Sequence, residues 1–250
     1  LEGHENENEF TFNNFYDFGV QWLQEWEHDV NFPNSGVDDY HVENGGKILL
    51  LNQNSTETSH PNFDLNLFIN DGGTLELQNG TASNRTWFTN IGNFNLKNGG
   101  TLILGEHSRF INRGDFDKEP NSEFTSREGA EFINEGNANF KGNIVLNQPE
   151  SCIIPATGSI THFYNEVSYE NGAFMMTWTE DAKIIVDENI TVKGNGNDNG
   201  YAIELIGGTI VEMGFNKRII VENGASMRAI GTASNPIRFT YQYPSEWPDG

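Results

Sequence analysis

Val42-Glu43-Asn44-Gly45-Gly46-Lys47-Ile48-Leu49-Leu50 returns as Ile69-Asn70-Asp71-Gly72-Gly73-Thr74-Leu75-Glu76-Leu77 and again as Leu96-Lys97-Asn98-Gly99-Gly100-Thr101-Leu102-Ile103-Leu104. The three copies lie 27 residues apart, as Ile69 to Leu96 shows. From Phe88 a tighter period of 22 takes over: Phe88, Phe110 and Phe132 fall in register, as do Asn90, Asn112 and Asn134, and Gly92, Gly114 and Gly136. Self-similarity of this length marks a solenoid, in which each repeat is one turn stacked on the next. Each copy couples a Gly-rich bend, suited to positive φ, to an alternating strand such as Thr74-Leu75-Glu76-Leu77. A 22-residue turn holds about three short strands and their bends, and each turn advances by about 4.8 Å, the interstrand spacing. Expected inward positions are Phe94, Phe116 and Ala138 in one column and Leu102, Phe124 and Leu146 in another.

The 27-residue spacing reads as the 22-residue turn with extra residues looped out, at Gln53 to His60 and Gln78 to Arg85. Insertions in a solenoid leave from a corner, and loops carry specificity that bare turns lack. Asn54, Thr56, Thr81, Asn84, Arg85 and Trp87 are therefore the expected binding residues. Asn90, Asn112 and Asn134, with Gly92, Gly114 and Gly136, are expected to form a structural ladder at one corner, amide bonded to amide.

After residue 147 the period fades. Asn171-Gly172-Ala173, Gly207-Gly208-Thr209-Ile210 and Asn223-Gly224-Ala225 look like degenerate copies of the same turn. Ile184 to Val186, Ile190 to Val192, Ile203 to Ile206 and Ile219 to Val221 read as β-branched strands, while Pro149 and Pro155 interrupt the pattern. Residues 1–40 differ, with aromatics at Phe10, Phe12, Phe15, Tyr16, Phe18, Trp22 and Trp26. Phe15, Phe18, Trp22 and Trp26 are spaced for one face of a short helix, and Phe10-Thr11-Phe12 alternates like a strand. A stack exposes an apolar cross-section, so a cap over 1–40 preceding a parallel β-helix over 41–250 is the expected organisation; an aromatic sugar-binding surface is the alternative for this segment.

The 36 acidic against 14 basic residues give a net charge of −22, which excludes nucleic acid and anionic membrane surfaces as natural partners. Cys152 is the only cysteine, so neither an intrachain disulfide nor a Cys-based metal cluster is available. No apolar run is long enough for membrane insertion as a helix. Leu1-Glu2-Gly3-His4 has no signal-peptide character and Trp247-Pro248-Asp249-Gly250 stops in mid-pattern, as a fragment of a longer chain would. The histidines (His4, His28, His41, His60, His107, His162) lack ligand spacing. Asn195 to Gly200 superficially matches a calcium loop, but Asn195 stands where Asp is needed and Ile206 where Glu is. No cofactor is called for, with Ca²⁺ admissible as an optional ion.

Residues 218–240, Arg-Ile-Ile-Val-Glu-Asn-Gly-Ala-Ser-Met-Arg-Ala-Ile-Gly-Thr-Ala-Ser-Asn-Pro-Ile-Arg-Phe-Thr, resemble a segment of secreted right-handed parallel β-helix surface proteins of Bacteroidetes type, an adhesin-like family. Its phrase runs V-x-x-G-A-x-L-x-A-x-G-T-x-x-N-P-I-x-F-T, from which Met227 and Arg228 depart. The match spans roughly a tenth of the chain. It implies an all-β, single-stranded right-handed parallel β-helix, exported to the cell surface. The expected function is a non-enzymatic scaffold that displays loops to a glycan or a surface protein. The competing expectation is a carbohydrate-active enzyme, a polysaccharide lyase or glycoside hydrolase, with its catalytic turn later in the chain. A lyase needs a basic residue beside the sugar acid, and Arg109, Arg113, Lys118 and Arg127 are the densest basic group. A glycosidase needs two carboxylates on one face, for which Asp115 with Asp117 or Asp38 with Asp39 are among many pairs.

Overall fold

A computed structural model describes residues 9–13, 39–43, 47–50, 62–63, 66–177, 180–194, 200–222 and 224–242. Among these the only regular structure is β-strand. The chain divides into two units, Leu1–Glu131 and Phe132–Gly250. Each is a parallel β-solenoid, three strands to a turn, and within each unit the strands fall into three stacks that we call that unit's sheets one, two and three in chain order.

In the first unit sheet one runs through Glu9–Asn13, Asp39–Glu43, Asn66–Ile69, Asn93–Leu96 and Asp115–Lys118, all parallel. Sheet two stacks Lys47–Leu50, Thr74–Leu77, Thr101–Leu104 and Glu123–Ser126. Sheet three stacks Asn62–Phe63, Trp87–Asn90 and Arg109–Asn112. Phe10-Thr11-Phe12 therefore belongs to the first strand of sheet one. The expected helix over Phe15 to His28 lies outside the described residues, as does the loop Gln53 to His60.

Alternation decides which side chains enter the core. Asn66–Ile69 and Thr74–Leu77 bury every second residue, so Leu67, Ile69, Leu75 and Leu77 point inward. Phe94, Phe116, Ala138, Leu102 and Leu146 are buried as their columns require, while Phe124 is half-buried. In-register stacking lays ring on ring: Phe88 and Phe110 have centroids 4.8 Å apart, and Phe94 and Phe116 5.4 Å apart. The two columns meet edge to face, Phe94 against Phe110 at 5.2 Å. Such pairs contribute about 0.5–1.5 kcal/mol each beyond their buried area.

The bends carry the repeat's glycines for two different reasons. Gly99 has φ +77°, a conformation that only glycine adopts cheaply. Its neighbour Gly100 needs no such φ; a Cβ there would land on the carbonyl oxygen of Ile69 in the turn below. Between sheets three and one the chain turns in two residues, Ile91-Gly92 and Arg113-Gly114. A Cβ on Gly114 would strike the carbonyl of Gly92. The asparagine before each bend is buried and lies on this corner: Asn90 Nδ2 donates to Asn112 Oδ1 at 2.8 Å and to the Gly92 carbonyl at 3.1 Å. In the second unit Asn134 Nδ2 donates to Thr161 Oγ1 at 2.9 Å, so there the amide's partner is a hydroxyl.

The second unit stacks Asn137–Phe140, Ile160–Phe163, Lys183–Val186, Ile210–Met213 and Arg238–Tyr241 in sheet one. Ile144–Leu146, Val167–Tyr169, Ile190–Val192 and Ile219–Val221 form sheet two. Cys152–Pro155, Phe174–Met176, Ile203–Ile206 and Met227–Ile230 form sheet three. Pro155 ends a strand and does not break the turn.

Residue insertions explain both the change of period and its fading. In the first unit the connection 78–86 joins sheets two and three where 105–108 suffices one turn later. In the second unit the long connections are 193–202, between sheets two and three, and 231–237, between sheets three and one. Turns resembling one another in sequence also occupy different corners: 170–173 lies between sheets two and three, and 207–209 between sheets three and one. Gly80-Thr81-Ala82-Ser83-Asn84 and Gly231-Thr232-Ala233-Ser234-Asn235 carry this furthest. Both close with the Thr and Asn backbones paired, at 2.8 and 3.1 Å in one copy and 3.0 and 3.2 Å in the other. In both the Asn backbone N–H also donates to the Thr hydroxyl, at 3.1 and 3.0 Å. Yet the first copy feeds sheet three and the second sheet one.

Among the described residues one charged side chain occupies a core position. Lys118 lies across from Leu96 at an inward position, 2% exposed, with Nζ donating to the Glu119 carbonyl at 3.1 Å. Burial lowers its pKa from the ordinary 10.5. The folded state thus binds this proton more weakly than the unfolded chain does. The penalty is complete below the folded pKa and disappears as pH rises through it towards 10.5. Lys118→Met should stabilise the protein at neutral pH by on the order of 1 kcal/mol. In urea titrations its gain over the wild type should shrink as pH climbs into the alkaline range. A gain independent of pH would show that packing, not the ammonium, sets the cost. Separately, Gly114→Ala should cost roughly 2–4 kcal/mol, since backbone must move. Gly158→Ala, where a Cβ meets nothing but φ is +68°, should cost only about 1 kcal/mol. Equal losses in the two variants would refute the close-approach account of Gly114.

Candidate functional site

The outer faces of the sheets are where a solenoid meets its surroundings. On sheet one of the first unit, strand alternation sends Asn66, Phe68, Asn93, Asn95, Asp115 and Asp117 outward while Leu67, Ile69, Phe94 and Leu96 go in. Parallel register turns these outward residues into two columns. One is Asn66–Asn93–Asp115 and the other His41–Phe68–Asn95–Asp117. His41 and Phe68 stack almost parallel, 4.6 Å between centroids and 7° between planes. Asn70 Nδ2 lies 2.9 Å from His41 Nδ1 and holds the imidazole in that plane. In the column beside it Asn93 donates its side-chain amide to Asn66, its partner one turn away. Beside the stack, Lys97 Nζ is 5.7 Å from the Phe68 centroid and 3.1 Å from Glu119 Oε1. Asn66, Phe68, Asn93, Phe94, Asn95, Asp115 and Asp117 line an open hollow of about 340 Å³.

Chemically this is a half-buried aromatic surface that runs into amides and then carboxylates, step by step along the stack. An aromatic ring presents an electron-rich face to polarised C–H bonds, and the amides offer both donors and acceptors to hydroxyls. The sheet backbone is fully paired, so the side chains sit on a rigid floor.

The residues expected in loops have a different setting. Asn54 and Thr56 lie outside the described residues. Thr81 and Asn84 close the tight turn described above, with Thr81 exposed and Asn84 half-buried. Arg85 pairs with Glu131 at 2.9 Å and donates to the Gly129 carbonyl at 3.2 Å. Arg109 pairs with the same carboxylate and lies 4.4 Å over the Trp87 ring. Arg85, Trp87, Arg109 and Glu131 thus interlock on the outer face of sheet three. A ligand recruiting Arg85 or Trp87 would have to compete with these contacts. Of the basic group, Arg127 reaches Asn79 at 3.2 Å and Lys118 is buried. Asn90 and Asn112, with Gly92 and Gly114, form the corner already described, and Asn134 and Gly136 bond to each other at 3.2 Å.

The second unit has its own outward aromatic pair on sheet one. His162 and Tyr164 stack at 3.7 Å, and His162 Nε2 lies 3.0 Å from Asp187 Oδ2. Among the described residues no three His, Cys, Asp or Glu side chains gather as a metal site, and no helix is long and apolar enough to cross a membrane. Asn195 to Asn199, in the calcium-like stretch, lie outside the described residues.

The loop argument missed His41 and Phe68. The signal was present in Asn66-Leu67-Phe68-Ile69, where Leu67 and Ile69 fix the inward phase and leave an aromatic on the polar side. Comparison with known proteins finds no matching protein family, no matching curated protein and no matching solved structure.

Proposed function

We propose that this chain is a non-enzymatic, exported surface scaffold of adhesin type that holds a glycan against the outer face of sheet one. The observation that carries the reading is the His41–Phe68 stack beside Asn66, Asn93, Asn95, Asp115 and Asp117. A pyranose packs its C–H face against the outward rim of the His41–Phe68 pair and sets its hydroxyls within reach of the amides and carboxylates. The side chains rest on paired strands, so little ordering entropy opposes binding. The resemblance of residues 218–240 to secreted β-helix surface proteins of Bacteroidetes type supports export and a surface location. Ca²⁺ is an optional bridge to sugar hydroxyls.

A second reading has one observation in its favour. Asp115 and Asp117 are two apart on one strand and line the same hollow, which separates their Cα atoms by about 6.7 Å. Side chains rooted at that spacing on one face can set their carboxyl groups at the separations glycosidases use, about 5 to 9.5 Å. Incubation with oligosaccharides that bind, followed by chromatography, separates the two readings: new reducing ends would make the protein a hydrolase.

A glycan array probed with and without Ca²⁺ should return binders whose affinity falls about tenfold in Phe68→Ala, the equivalent of roughly 1.4 kcal/mol of lost stacking. Phe68→Tyr should bind as the wild type does. Arg85→Ala should leave glycan binding unchanged, because its guanidinium is committed to Glu131. Undiminished binding by Phe68→Ala would remove sheet one from consideration.

A further inference from the structure

From the order of residues along the hollow we infer that its ligand is a linear oligosaccharide bearing protonated amino groups, laid along the stack direction. This rests on the glycan-binding reading above and narrows it to one chemical class.

Three observations converge. First, one outward column changes character in one direction. Moving from one turn to the next, His41 and Phe68 give way to Asn95 and then Asp117, while the neighbouring column runs Asp39, Asn66, Asn93, Asp115, with an aspartate at each end. Successive turns are about 4.8 Å apart, close to the length of one sugar unit in an extended chain. A chain lying along the stack therefore meets a ring, then amides, then two carboxylates, one unit to a turn. Second, the hollow is open, which suits a polymer passing over it rather than a monosaccharide enclosed in it. Third, charge selects the substituent. Asp115 and Asp117 put two carboxylates at one end, and the nearby ammonium of Lys97 is engaged by Glu119 at 3.1 Å. Sugar acids would meet those carboxylates and the field of a chain carrying −22. An ammonium on the sugar would gain charge-assisted hydrogen bonds to the same oxygens. The hollow and the ring stack make the site; the carboxylates choose among its ligands.

The test is calorimetric titration of the full chain with three soluble oligomers of equal length: glucosamine, N-acetylglucosamine and glucose. At mildly acidic pH and low salt the amine-bearing oligomer should bind at least tenfold more tightly than either neutral one, and salt should erode that advantage. Asp115→Asn with Asp117→Asn should abolish the preference while retaining neutral binding, and Phe68→Ala should weaken all three. Circular dichroism checks that the variants remain folded. If neutral oligomers bind as tightly as the amine, the ligand class is wrong and the glycan-binding reading survives. If amine binding persists undiminished in the double Asn variant, bulk charge is responsible and the inference is overturned. If no oligomer binds, both this inference and the reading beneath it fall.

Discussion

The backbone of each turn can satisfy its hydrogen bonds only by pairing with the turns above and below it. Asn93 meets Asn66 on one side and Asp115 on the other, and the whole strand follows in register. Because pairing is parallel and in register, each side chain has as its nearest neighbour the residue one turn away. Like then falls on like. Phenylalanines become ring columns, the asparagines at the bend become an amide column, and the glycine at the bend becomes obligatory, since Gly92 and Gly114 approach through their backbones. The same rule exposes exceptions. Lys118 is conspicuous because its column otherwise demands an apolar residue, and desolvation of its ammonium is the consequence.

Corners are where this constraint relaxes. A strand must match its neighbours residue for residue, but a corner need only return the chain to the next sheet. Length variation therefore collects at corners, as 78–86 does against 105–108. The two Gly-Thr-Ala-Ser-Asn loops show how self-contained a corner can be. Each closes through its own Thr–Asn bonds, so the same pentapeptide serves before sheet three in one unit and before sheet one in the other.

That modularity also sets what could be read from the sequence. The strands and the 22-residue period were legible because β-sheet alternation and in-register stacking both write themselves into residue type. Ile184 to Val186 and Ile203 to Ile206 needed no structure to be recognised as strands. Corner identity was not legible, because every tight bend calls for the same few residues. Asn171-Gly172 and Gly207-Gly208 look like copies of one repeat position and occupy different corners. After residue 147 the spacing of paired residues first moves to 23, as in Asn137–Ile160 and Ile160–Lys183, and then to 27 and 28 where 193–202 and 231–237 lengthen the turns, while the stacking stays intact. The hollow was hidden for another reason. Its members come from three strands spread over residues 66 to 117, with His41 on a fourth, and only the register reveals that His41 lies on Phe68 and Asn95 beside Asp117.

A sheet face and a loop make different kinds of binding surface, and the difference bears on what this chain does. Loop residues such as Arg85 are held by a few side-chain contacts, and in this protein those contacts already occupy them. Residues on the sheet inherit their spacing from the backbone ladder, about 4.8 Å per turn, with no ordering left to accomplish on binding. Such a surface is poor at enclosing a substrate and excluding water, which catalysis usually requires. It is well suited to reading a repeating polymer, because the protein and the ligand then share a period. The excess of acidic residues acts within that arrangement. A net charge of −22 repels anionic polymers at long range, and on the glycan-binding reading Asp115 and Asp117 would turn that repulsion into a local preference.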